Sequence, residues 1–560
     1  MNYRDLQKDE IATLEKQGCM APDWFSVQVK DGFSTSGIKN VQFNGQVELG
    51  IFEGMVEVSE GIFKPSGLYN CYIQDCTIGN HTYISDVKNL VGYNISDSVV
   101  IENVSNLTVN GETTFGNGIR IDILNEGGGR ETPLFDKLSS QLAYLFTNYR
   151  HDPAFIKRLN TLVDEYVETK KSSKGTIEEG VRITNSNQIK NVYIGKHAIV
   201  TGALYLEEGT IASNEHAPVI VGEGVTAKKF IILSGSRVDG SAMIDKTIVG
   251  QGTVIGKQFS AENSAFFANS EGYHGEAVSL FGGPYTVTHH KSTLLIACLV
   301  SFYNAGSGSN QSNHMYKLGP VHQGILERGA KTGSFSYLMW PGRVGAFTGV
   351  IGKHYANFDT TDLPFSYVLE SNGKSLLMPA MNLCTVGTRR DSIKWPNRDG
   401  RKDPDKLDLI NFELFSPYII GKIIRGIEVL KDLLKNSSDN DEFVSLKGTS
   451  IKRSKIGQSI EKYEMAIKIF IGNQITKRLK DVSGKNTFED FRKTLVEKNP
   501  EASGKWIDIS GMVAPAGVVE KALDNVRNGK VESLSEFFEQ LKDIHKKYDL
   551  YAWSWCIYLI

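Results

Sequence analysis

An aliphatic residue followed directly by glycine recurs along this chain, at Ile78-Gly79, Ile194-Gly195, Val221-Gly222, Val249-Gly250, Ile255-Gly256 and Ile351-Gly352. Val249 and Ile255 stand six residues apart, as do Ile78 and Ile84. That period matches a parallel β-helix, in which a triangular coil takes three six-residue steps. The aliphatic side chain points into the coil, and the small residue after it lets the chain turn a tight corner. Glycine is abundant at 55 residues and proline scarce at 15, as suits a repetitive β-structure whose corners are turned by Gly, Asn and Asp.

The grammar breaks twice. Thr132-Pro133 and Asp152-Pro153 each place an N-cap residue before a proline suited to the first helical position. Phe155, Ile156, Leu159, Leu162, Val163 and Tyr166 then follow helical spacing. Beyond about Asp403 helical spacing returns, with charges of both signs as on solvated helix faces. The expected fold is therefore mainly β: a parallel β-helix with an inserted helical hairpin and a C-terminal, mostly α-helical domain. The expected divisions are a helical lead-in over 1–31, a first β-helix segment over 32–132, the hairpin over 133–175, a second β-helix segment carrying the candidate active site over 176–402 and the helical domain over 403–560.

These segments resemble the hexapeptide-repeat, left-handed parallel β-helix superfamily, which includes sugar and amino-acid acyltransferases and the C-terminal domains of sugar nucleotidyltransferases. The whole chain also resembles a family of large bacterial proteins of unknown function. The first resemblance implies a transferase, with acyl-CoA as a co-substrate and a homo-oligomeric assembly. No Gly-Lys-Ser/Thr phosphate loop is present, and no glycine-rich nucleotidyltransferase loop opens the chain.

Composition narrows the partners. Hydrophobic and charged contents of 40% and 22% are those of an ordinary globular protein. A net charge of −2 gives no electrostatic case for nucleic acid or an anionic membrane. No apolar run is long enough to span a bilayer, and the first residues lack the apolar core of a secretory signal. Six cysteines without a CxxC pair argue against a disulfide framework or a structural zinc site. A cytoplasmic protein acting on a small-molecule substrate is the expectation.

Seven of eleven histidines fall between His216 and His354. Imidazole titrates near neutral pH and is a common metal ligand, so this excess marks the chemistry. His314, His322, His290 and His354 are the candidate bases. Asn304, Asn310 and Asn313 lie in or beside a polar Gly/Ser loop, which loosely resembles an acceptor-binding region of the acetyltransferases. With Lys317, Lys331, Arg343 and Asp359 they are candidate acceptor or oxyanion contacts. Arg389 and Arg390 head a basic stretch suited to a phosphate or carboxylate. Three readings stand: acyl or nucleotidyl transfer to a sugar or sugar phosphate with a histidine general base; a lyase, isomerase or hydratase using a divalent metal on a histidine cluster; and a non-catalytic binding or scaffold protein.

Overall fold

In the computed structural model, residues 3–313, 317–319, 323–482, 487, 489 and 499–560 are described. The chain is a parallel β-helix. On one face, a column of in-register partners climbs through Arg237, Val254, Glu271, Val287, Asn304 and Lys331, and ends at Gly349 and Tyr367. A second face stacks Tyr205, Thr226, Met243, Ser260, Glu276 and Leu294. The third stacks Ile248, Ala265, Phe281 and Leu299. The coil is mostly seventeen residues long (Arg237 to Val254 to Glu271), one short of three ideal hexads, which is why the six-residue spacing drifts in the sequence.

The aliphatic–glycine steps mark the interior. Ile78, Ile194, Val221, Val249 and Ile255 are fully buried, whereas Ile351 is 45% exposed and is an exception to the pattern. At Gly250 a Cβ would stand 2.7 Å from the carbonyl oxygen of Phe266 and the Cα of Phe267 in the next coil. Corners are turned in the left-handed region, and there asparagine and aspartate stack between coils. Asn40 Nδ2 donates to Asn70 Oδ1, and Asn70 Nδ2 to Asp86 Oδ1, each at 3.0 Å.

The chain leaves the coil after Thr108 and rejoins it at Gly175, completing the same turn: Val109 N donates to Val91 O and Gly175 N to the adjacent Gly92 O. The excursion carries helices Ser140–Asn148 and Pro153–Glu168, with the side chains of Ser139 and Asp152 capping their first turns. Thr132-Pro133, expected to open a helix, instead forms a two-residue strand paired with Arg120–Ile121. Asp152-Pro153 does open one.

Beyond Tyr367 the column turns into an antiparallel hairpin with Lys374–Met378. Helices Pro417–Lys435 and Ile456–Val482 extend the solenoid's apolar core past its last coil, pinned by Tyr463 Oη donating to Pro364 O at 2.6 Å. A second core joins stretches far apart in sequence. The excursion helices and helices Ala516–Arg527, Leu534–Lys546 and Tyr548–Leu559 pack together over Ile231, Ile248, Phe267 and Phe281 of the third face. Arg527 Nε donates to Asp152 Oδ2 at 2.8 Å across this junction. Of the C-terminal aromatics, Tyr548 and Tyr551 are buried in this core and Trp553 is buried as well, whereas Tyr558 is exposed. Among the described residues no helix is long and apolar enough to cross a membrane.

Candidate functional site

The first-face column becomes chemically distinctive at Glu271. From there Glu271, Val287, Asn304 and Lys331, one per coil, form one wall of a cleft of about 270 Å³. The helix Val386–Asn397 supplies the other wall. Arg390, Lys394 and Arg398 recur every four residues, so they share one side of that helix, and its C-terminal end favours cations. All three line the cleft, above a floor that includes Tyr285, Phe302 and Trp395. The floor is rigid: Phe302 and Trp395 pack at 4.7 Å between ring centroids, and Tyr285 Oη donates to Trp395 O at 2.8 Å.

Beside the wall of cations sits a dyad. His289 Nε2 lies 2.5 Å from Glu271 Oε2, and the His289 ring stacks on Tyr273 of the preceding coil at 5.0 Å. The bond to His289 holds the Glu271 carboxyl below the usual carboxylate range. With Glu271 accepting from Nε2–H, Nδ1 is left to accept a proton. Lys331 pairs with Asp391, and Arg390 Nε reaches the same carboxylate at 3.1 Å. Lys394 and Arg398 carry no ion pair among the described residues, so the cleft has cations to offer an anionic ligand.

The candidates from sequence scatter around this cleft. Asn304, Lys331 and Arg390 line it. Arg389 is exposed outside it, and His290 is exposed beside His289 without lining it. Asn313 is buried and fixes backbone, accepting from Trp340 N at 2.7 Å and donating to Trp340 O at 2.9 Å. Asn310 accepts from Ser312 Oγ at 2.6 Å on the second face. Lys317 is exposed. Arg343 and Asp359 are neighbours on the third face, beside a different cavity. His354 is 1% exposed, its Nδ1 2.9 Å from Ser375 Oγ and its ring against Phe358. Burial pushes its pKa down to about 4, the mark of a neutral core imidazole sealed from substrate. His314 and His322 lie outside the described residues. Among the described residues no three His, Cys, Asp or Glu side chains are disposed to hold a metal ion.

Glu271 and His289 are not among those candidates, while Lys394 and Arg398 belong to the basic stretch headed by Arg389 and Arg390 that the sequence marks for a phosphate or carboxylate. Tyr273 and His289 fall one above the other because that coil is sixteen residues long, whereas the commoner seventeen-residue spacing would have stacked Tyr273 on His290.

The cleft lies within the span matched by one family, whose profile covers residues 3–434. The chain belongs to the family described as domain of unknown function (DUF4954). The DUF4954 region thus comprises the coils of the β-helix, the cleft helix Val386–Asn397 and nearly all of the helix Pro417–Lys435. A second family, described as domain of unknown function (DUF6819), matches residues 487–560, a span that includes the helices Ala516–Arg527, Leu534–Lys546 and Tyr548–Leu559 of the layer on the third face. An uncharacterized protein of Treponema pallidum (strain Nichols) is 26% identical to this chain, over 98% of it and 80% of the relative. Among solved structures, the Arabidopsis UDP-N-acetylglucosamine acyltransferase is 13% identical and covers 58% of this chain and 96% of its own. Its TM-score is 0.17, too low to carry an argument, so the fold rests on this chain's own strand pairings.

Proposed function

We propose that the cleft is the active site of a transferase that passes an acyl or nucleotidyl group to a hydroxyl or amine of a sugar phosphate. The observation that carries the reading is the Glu271–His289 dyad set beside Lys394 and Arg398. Nδ1 of His289 takes the proton of the attacking group, and Glu271 orients the ring and balances the imidazolium that forms. In this reading Arg398 and Lys394 hold the acceptor's phosphate, and the Asn304 carboxamide and the Lys331 ammonium, which line the same cleft, serve the oxyanion.

Wild type, His289→Ala and Glu271→Gln are to be assayed with acyl-CoA and nucleotide donors against sugar-phosphate acceptors. Loss of the base is expected to cost about 10²- to 10⁴-fold in turnover, with KM for the acceptor little changed. Near-native turnover in His289→Ala would refute the assignment. Saturable binding of sugar phosphate without turnover of any donor would make the cleft a recognition site only.

A further inference from the structure

A second cavity, of about 180 Å³, opens on the third face where four stretches meet. These are the coil corner Glu327-Arg328, the excursion helix with Tyr144, Tyr418 at the start of its helix, and the hairpin bearing Asp508 and Ser510. Arg328 and Ser510 are each 3% exposed, yet Arg328 Nη1 and Ser510 Oγ have no hydrogen-bond partner among the described residues. The remainder of Arg328 is fixed. Nη2 donates to Asn411 O at 2.7 Å, Nε lies 3.4 Å from Asp508 Oδ2, and the guanidinium rests 4.7 Å over the Phe302 ring. A buried charged donor left unmade is costly, so such a group calls for an acceptor that completes it.

The charges around the cavity say which kind. Glu327 is answered by Lys422 Nζ at 2.8 Å and by Tyr418 Oη at 3.2 Å, and Asp508 by Arg328. Arg343 lines the cavity, is exposed and forms no ion pair among the described residues. What remains unbalanced is positive. We infer that this cavity binds a small oxyanion, a carboxylate or phosphate, on Arg328 Nη1 and Ser510 Oγ, with Arg343 at the entrance. At about 30 Å³ per water the space equals roughly six waters, which suits inorganic phosphate or a short hydroxy acid. The inference does not rest on the transferase reading. Because the site is built from the β-helix, the excursion and both helical layers, its occupant ties those parts together. Because Arg328 lies over Phe302, the floor ring of the cleft, the two sites share a wall.

The test uses the full chain carrying Lys394→Gln and Arg398→Gln, which removes the cleft's unpaired cations as a competing anion site. Inorganic phosphate and lactate are titrated separately by calorimetry and by thermal unfolding. At least one is expected to bind saturably at one per chain and to raise the Tm. Ser510→Ala and Arg343→Gln should each weaken it about fivefold, and Arg328→Lys at least tenfold. Saturation by phosphate alone supports a phosphate ligand, and by lactate alone a carboxylate. If Arg328→Lys fails to fold, the other two variants carry the decision. Absence of saturation by both anions at millimolar concentration overturns the site, as does an affinity unchanged in both Ser510→Ala and Arg343→Gln.

Discussion

The coils from Arg182 to Glu262 and those from Glu271 to Tyr367 share one winding but are filled differently. The earlier coils use strands of up to thirteen residues, and Val200, Val221, Val238 and Ile255 stack inside them fully buried. On the second and third faces the later coils shrink to strands such as Glu276–Val278, Leu294–Ile296 and Cys298–Val300. Their interior keeps buried aliphatics such as Val300, Leu326, Val344 and Val350 and adds a polar network. Gln311 Nε2 donates to Tyr303 Oη at 2.8 Å, Tyr303 Oη lies 2.7 Å from Thr332 Oγ1, and Ser309 Oγ stands 2.7 Å from the same hydroxyl. Stacked aliphatics suffice for a uniform rod. The network fixes side chains one by one, and Tyr303 is both a member of it and part of the cleft lining. The cleft and the anion cavity both open on the later coils, which carry this network.

The largest test of that contrast is a cavity in the uniform coils. Ile232 is fully buried there, and Ile232→Ala is expected to cost about 2–5 kcal/mol of stability. The denaturation midpoint should fall while turnover and anion binding, measured well below it, stay at wild-type values. A loss of activity beyond the loss of folded protein would show that the two regions are coupled.

His354 gives the next largest effect, as a dependence on pH. Its folded pKa of about 4 lies below the ordinary value near 6.5. As pH falls the unfolded chain takes up the proton first, so this stabilisation is complete above about 6.5 and is lost on the way down to about 4. The span corresponds to at most about 3 kcal/mol. Carboxylates such as Glu271 and Asp362, whose pKa values are lowered, also release stability in acid, so the difference between wild type and His354→Gln is the quantity to measure. That difference should shrink as pH is lowered from 6.5 to 4. A parallel pair of curves would mean that this ring is not held neutral.

Tyr303→Phe removes a hydroxyl that serves two partners in the later coils, for an expected loss of about 1–3 kcal/mol. Unlike Ile232→Ala it should also weaken ligand binding in the cleft, because the network beneath the wall is loosened. Equal effects of the two variants on binding would erase the distinction between a supporting rod and a site-forming segment.

The parallel β-helix was legible in sequence because burial in a coil repeats: Ile78, Ile194, Val249 and Ile255 are selected again and again by the same interior. The Asp152-Pro153 helix start was legible because a cap and a proline act within one turn. The true length of the coil was not, since six-residue steps blur when one corner is a residue short. The cleft was hidden for the same reason. Asn304 and Lys331 are adjacent in space but twenty-seven residues apart, where most coils take seventeen, and the basic wall arrives from a helix beyond the last coil. Density of histidines favoured His314 and His354, yet what distinguishes His289 is a carboxylate one coil below, which no local pattern announces.

The smallest expected effect separates surface charge in the two regions. Lys394 and Arg398 are exposed and make no ion pair among the described residues, so Lys394→Gln and Arg398→Gln should leave the denaturation midpoint unchanged. Each should weaken sugar-phosphate binding about fivefold at low salt, the scale of an exposed charge contact, and the deficit should narrow as added salt screens the wild-type attraction. Lys228 is the control from the uniform coils: it is exposed on the second face, over the Tyr205 ring at 5.1 Å, away from the cleft wall. Lys228→Gln removes the same formal charge and is expected to change neither affinity nor its salt dependence. Equal losses from Lys228 and Lys394 would mean that binding responds to the net charge of the chain. A loss confined to Lys394 and Arg398 would locate it on the helix that faces Glu271 and His289.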